Sequence, residues 1–134
     1  MDLTEIQLQS ATLDESDFRN CFLRGADMRA TSFKGARFSH ADLRNADFSP
    51  LFFEVGTERR ASPCDLSGVN MRYANCAGAK MSHVSFAGGD LSYADFSGSD
   101  ISKADFRGAK LENTRFSGAN IAEAQFDGDP PETA

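Results

Sequence analysis

A bulky apolar residue returns at every fifth position along almost the whole chain. The series runs Leu3, Leu8, Leu13, Phe18, Leu23, Met28, Phe33, Phe38, Leu43, Phe48 and, after an interruption, Leu66, Met71, Cys76, Met81, Phe86, Leu91, Phe96, Ile101, Phe106, Leu111, Phe116, Ile121, Phe126. Neither an α-helix nor a flat strand has that period, so the chain builds its core by stacking like corners, as a solenoid does. Two residues before each centre stands a small one, most often alanine, as at Ala26, Ala41, Ala94 and Ala104. Extended backbone alternates its side chains, so this pair faces inward together and the residue between them faces out. The remaining two residues turn a corner.

In the C-terminal stretch glycine holds the second corner place in alternate repeats, from Gly68 to Gly128, with Tyr73, His83, Tyr93, Lys103, Asn113 and Glu123 in the repeats between. Glycine accepts positive φ, so the pattern predicts corners that alternate in turn geometry. Phenylalanine keeps step with the glycines. An even number of sides separates the two classes, and four sides per coil place Phe86, Phe106 and Phe126 in one stack.

Motifs such as Ala41-Asp42-Leu43-Arg44-Asn45, Ala94-Asp95-Phe96-Ser97-Gly98 and Ala104-Asp105-Phe106-Arg107-Gly108 resemble the pentapeptide repeat family, and the resemblance covers nearly the entire chain. It implies an all-β fold, a right-handed quadrilateral β-helix of about six coils. We expect one domain over residues 1–129 and a short polar tail over 130–134. No apolar run is long enough to span a membrane and no secretory leader opens the chain, so a cytoplasmic location is expected. Cys21 and Cys64 fall on small inward positions and Cys76 on a central one, which makes them small hydrophobes rather than ligands or redox partners.

The interruption follows Phe48. The beat can be carried once more through Leu51 and Phe53, but Leu66 then lies thirteen residues on (66 − 53), which is not a multiple of five. Residues 54–63, rich in charge and holding Gly56 and Pro63, read as a loop projecting from a corner. Such an excursion is either a tolerated insertion or a recognition element on a rigid support. Leu51-Phe52-Phe53-Glu54 and the later Cys64-Asp65-Leu66-Ser67 are similar to the surroundings of a loop in the quinolone-resistance branch of the family, whose members protect DNA gyrase. That similarity implies Glu58, Arg59 and Arg60 as partner-contacting residues. The chain departs from that branch by ending in Asp127-Gly128-Asp129-Pro130-Pro131-Glu132-Thr133-Ala134, where those proteins carry a helical dimerisation segment.

Imitation of DNA along the whole rod fails on arithmetic. Six coils at roughly 4.8 Å make a rod of about 29 Å, a length over which duplex DNA carries roughly seventeen charges. This chain has a net charge of −6. Only a patch can mimic phosphate, and Asp27, stacked beside Asp47 with Asp42 on the neighbouring face, is the least compensated candidate. Asp90 and Asp95 are expected beside Lys110 and Arg115 one coil on, where pairing and turn hydrogen bonds account for them.

Catalysis has little support. His40 and His83 are separate corner residues outside any nucleophile–base arrangement, and the acidic balance disfavours direct contact with nucleic acid. No metal or cofactor is implied. Two functions follow: a non-enzymatic, partly DNA-mimicking module that binds a protein such as DNA gyrase or another type II topoisomerase, or an assembly scaffold. Open solenoid ends are covered either by frayed terminal repeats or by another chain, in an end-to-end homodimer.

Overall fold

The computed structural model describes all 134 residues. Its only continuous strands, β1 (Leu51–Val55) and β2 (Glu58–Ser62), lie in the interruption. Everywhere else the chain is wound into a wall of isolated parallel bridges. Each outward residue before a centre bridges the equivalent residue of the next coil, and the bridges form four ladders, one of which runs Asp2, Phe22, Asp42, Asn75, Asp95 and Arg115.

The pentapeptide explains every bond of this wall. The N–H of a centre donates to the outward carbonyl of the next coil, as from Phe86 to Asp105 at 2.8 Å, and the outward N–H of Asp105 donates back to the carbonyl of Val84 at 2.9 Å. The small residue closes the corner by donating to the preceding centre, as from Ala94 to Leu91 at 3.0 Å. Between the first and last coils the wall thereby pairs its backbone without a helix or a long strand.

The corners do not alternate in the sign of φ. Tyr93 sits at φ 64° and Gly98 at φ 66°, and His40, Asn45, Tyr73, His83, Lys103 and Glu123 all share the left-handed conformation. The reason is axial: the corner N–H must point at a carbonyl one coil on, as Tyr93 N–H does toward Glu112 at 2.8 Å, whatever side chain it carries. Glycine relieves a strain that other residues bear at about 1–2 kcal/mol each.

Inside the wall the centres stack as the period requires. Phe106 lies between Phe86 at 4.8 Å and Phe126 at 4.9 Å in near-parallel rings, and it meets Phe96 and Phe116 edge-on. Such ring pairs add about 0.5–1.5 kcal/mol beyond the area they bury. Cys21, Cys64 and Cys76 are free thiols buried in this column. Burial pushes the Cys64 thiol up from 9.0 to about 12, and it raises that of Cys76 as well.

At the interruption the bridge spacing changes from twenty to thirty-three, from Ser32 to Asp65, so thirteen residues (33 − 20) leave the wall. The excursion is an ordered antiparallel hairpin with Gly56 and Thr57 at its tip, and it begins at Leu51 rather than Glu54. Leu51 and Phe53 do not continue the beat; Cys64 and Leu66 take the inward places, both fully buried. At the far end the tail crosses the last coil, where the Thr133 carbonyl accepts the Gly118 N–H at 2.6 Å.

Candidate functional site

The outward aspartates are first of all turn residues. Asp42, Asp95, Asp100 and Asp105 each accept the backbone N–H two residues on, within 2.9–3.2 Å, as an Asx turn does. Where that next residue is arginine the guanidinium folds back onto the same carboxylate. Arg29 grips Asp27 through two bonds at 2.9 and 2.8 Å, and Arg44 grips Asp42 at 2.8 and 2.7 Å. These arginine hydrogen bonds hold both carboxyls below the ordinary carboxylate range.

Asp27, Asp42 and Asp47 therefore stand on adjoining ladders as the twenty-residue period places them, but with unequal charge. Asp27 bridges Asp47 on the next coil. Asp47 accepts the Ser49 N–H at 2.9 Å and no ion pair closes on it. The cross-coil pairs also differ from expectation. Lys110 and Arg115 do bridge Asp90 and Asp95, yet Asp90 is paired with Arg72 of the preceding coil at 3.2 Å, and neither Lys110 nor Arg115 forms an ion pair.

Glu58, Arg59 and Arg60 lie together on β2. Register and alternation put Leu51, Phe53, Val55, Glu58, Arg60 and Ser62 on one face and Phe52, Glu54, Arg59 and Ala61 on the other. Glu58 and Arg60 pair along the strand at 3.1 Å, both exposed, and the Arg59 guanidinium lies 4.3 Å above the Phe52 ring. Phe52 stands edge-on to His83 at 6.0 Å, which rests the hairpin against the next coil, and the buried Nδ1 of His83 has no partner. Phe52, Phe53 and Val55 are 47%, 48% and 47% exposed. Sequence reasoning passed over these three because it counted Phe53 as a wall residue. The signal that finds them is the two-residue turn Gly56-Thr57 between two five-residue runs.

A second surface feature was likewise visible only as corner residues. His40, Tyr73 and Tyr93 form an outward ring column, 4.9 and 4.8 Å apart and nearly parallel, with Arg72 5.5–5.8 Å from both tyrosine rings. Tyr73 and Tyr93 of this column line an open groove of about 740 Å³ together with Asn75, Asp95, Asn113 and Arg115. His40 and His83 thus stand in different columns, each occupied with an aromatic neighbour. No cluster of three His, Cys, Asp or Glu side chains is set to hold a metal ion.

A ladder wall of this construction, with inward pairs every five residues, defines a class. The pentapeptide repeat model matches in eight copies over residues 2–31, 11–49, 64–102 and 99–128, and the chain belongs to that family. The internal stretch left unmatched, residues 50–63, is the hairpin and its two flanking prolines. Among solved structures the chain is similar to HetL, a pentapeptide repeat protein involved in heterocyst differentiation regulation in the cyanobacterium Nostoc, with 25% identity and TM-score 0.73 over 96% of this chain and 63% of HetL. It is also similar to trypsin-treated QnrB1, a plasmid-mediated fluoroquinolone resistance protein, with 18% identity and TM-score 0.66 over 92% of this chain and 69% of that one. A third likeness is to a pentapeptide repeat protein of the Arabidopsis thaliana thylakoid lumen, with 26% identity and TM-score 0.56 over 92% of this chain and 70% of the other. No curated protein matches the sequence. No helix is long and apolar enough to cross a membrane.

Proposed function

We propose that this chain is a non-enzymatic interaction module that presents a rigid rod and a hairpin to a protein partner, with DNA gyrase or another type II topoisomerase the most specific candidate. The observation that carries this reading is the hairpin itself. In a wall that otherwise satisfies every repeat, it alone leaves, and it lifts three large apolar side chains and Glu58, Arg59 and Arg60 into solvent. Exposed aromatic and arginine side chains are the types that anchor protein interfaces. The fold shared with QnrB1 lends the gyrase assignment its direction. The rod is taken as a right-handed quadrilateral β-helix of about six coils in the cytoplasm, whose acidic mimicry is a patch centred on Asp47 rather than a stripe.

A supercoiling assay with purified gyrase and a quinolone tests this. Inhibition or protection is expected, reduced at least tenfold when Arg59 and Arg60 become alanine. An absence of effect at high protein concentration refutes the gyrase reading and leaves the alternative, an assembly scaffold joined through its ends.

A further inference from the structure

The edges of the hairpin carry backbone groups that no other part of the molecule pairs. Val55 and Glu58 face each other across a two-residue turn and form its first hydrogen-bonded pair. Alternation makes Phe53 with Arg60, and Leu51 with Ser62, the other two, which together give the six backbone hydrogen bonds found inside the strands. The N–H and C=O of Phe52 and Glu54 consequently point away from β2, and those of Arg59 and Ala61 point away from β1. No backbone hydrogen bond from the wall reaches either edge. Unpaired edges of this kind are templates for another strand.

We propose that β1 pairs antiparallel with β1 of a second copy of this chain, about a two-fold axis beside Phe53. In that register Phe52 lies opposite Glu54 of the second copy and Glu54 opposite its Phe52, so all four free groups of the edge are used. Phe53 meets Phe53 in the closely spaced, non-hydrogen-bonded pair, where side chains approach most nearly. Leu51, partly buried, falls opposite the half-exposed Val55 on the same face, which with Phe53 makes a continuous apolar strip. On the other face Arg59 already covers Phe52, so the carboxylate of the incoming Glu54 arrives beside a guanidinium.

Charge selects this edge over the other. The equivalent pairing of β2 centres on Arg60 and sets Arg60 directly against Arg60, an opposition of like charges that weakens a sheet. One adhesive edge per chain gives a closed two-fold dimer rather than a fibre. The pairing is lateral, so it differs from association through the rod ends, and it does not depend on the gyrase reading.

The test uses the full chain carrying Phe53→Cys, compared under mild oxidation with Thr57→Cys at the hairpin tip. Residues paired at a non-hydrogen-bonded site stand about 4.5 Å apart between Cα atoms, within disulfide reach, whereas the two tips lie far apart. Phe53→Cys is expected to form a covalent dimer at least tenfold faster than Thr57→Cys. Equal rates overturn the proposal. A second variant, Glu54→Pro, removes only an outward-facing N–H and leaves the hairpin's own bonds intact. It is expected to sediment as a monomer at concentrations where the wild-type chain dimerises. A Glu54→Pro dimer, or a wild-type chain that stays monomeric to millimolar concentration, refutes self-pairing; the latter assigns the edge to a strand of another protein.

Discussion

The wall and the hairpin are both extended chain, yet they obey different rules. In the wall each residue is tied to the coil before and the coil after, with its bulky side chain in a sealed column. In the hairpin five residues pair only with the five beyond its two-residue turn, no backbone hydrogen bond joins them to the wall, and Phe52 rests on His83. Periodicity sets the first and local pairing the second: a side chain inside the column is set by its neighbours twenty residues away, and one on the hairpin by a few exposed contacts such as Arg59 over Phe52.

The sharpest way to break this contrast is a pair of truncations. Phe106→Ala leaves a void between Phe86 and Phe126 and is expected to cost about 3–5 kcal/mol, whereas Phe53→Ala is expected to stay within about 0.5 kcal/mol. Urea unfolding followed by circular dichroism reads both, and similar losses would erase the distinction.

Next in size is the response to pH. Asp27, Asp42 and Asp105 titrate below their ordinary value of 3.8 because an arginine two residues on holds the charged form. The unfolded chain therefore binds more protons than the folded one as pH falls below about 4, and stability declines there, modestly because the ion pairs are partly exposed. At the alkaline side the raised Cys64 thiol acts in reverse. Its contribution is complete below 9.0 and is lost as pH climbs toward about 12. A chain lacking the hairpin should keep both limbs; unfolding midpoints that no longer fall at the acid or the alkaline end would refute this.

Corners give a finer test within the wall. Gly88→Ala meets only the left-handed strain, about 1 kcal/mol, because open space surrounds its Cβ. Gly78→Ala should cost more, since its Cβ would collide with the Asn45 side chain. Equal losses would mean that Asn45 moves aside freely. Smallest of all is excision of Leu51–Ser62 with a glycine link, expected to leave rod stability within about 0.5 kcal/mol. A larger fall in melting temperature would make Phe52 on His83 a strut.

Much of this was legible in advance because inward residues repeat on both sides of the one interruption: the ring stack of Phe86, Phe106 and Phe126 and the stacking of Asp27 beside Asp47 both follow from counting by twenty. Three things were not. Alternating glycines suggested two kinds of corner, while the axial hydrogen bond imposes one on Tyr93 and Gly98 alike. Leu51 and Phe53 mimic an inward pair by being two apart, which hid the start of β1. The arginine closure of Asp27 and Asp42 was written in the Asp-x-Arg spacing of 27–29 and 42–44, but a ladder count looks along the rod and that contact runs around it.

The uniform corner has one more consequence. Since tyrosine, histidine, lysine and glutamate already hold this one backbone conformation, exchanging one of them for another changes what solvent meets and little of what the interior feels. The rod thus carries four rails on which chemistry can be exchanged one coil at a time, and the His40, Tyr73 and Tyr93 column is one rail already dressed with rings. Selection, or a designer, can rewrite such a surface at a pitch of about 4.8 Å without reopening the question of how the chain folds.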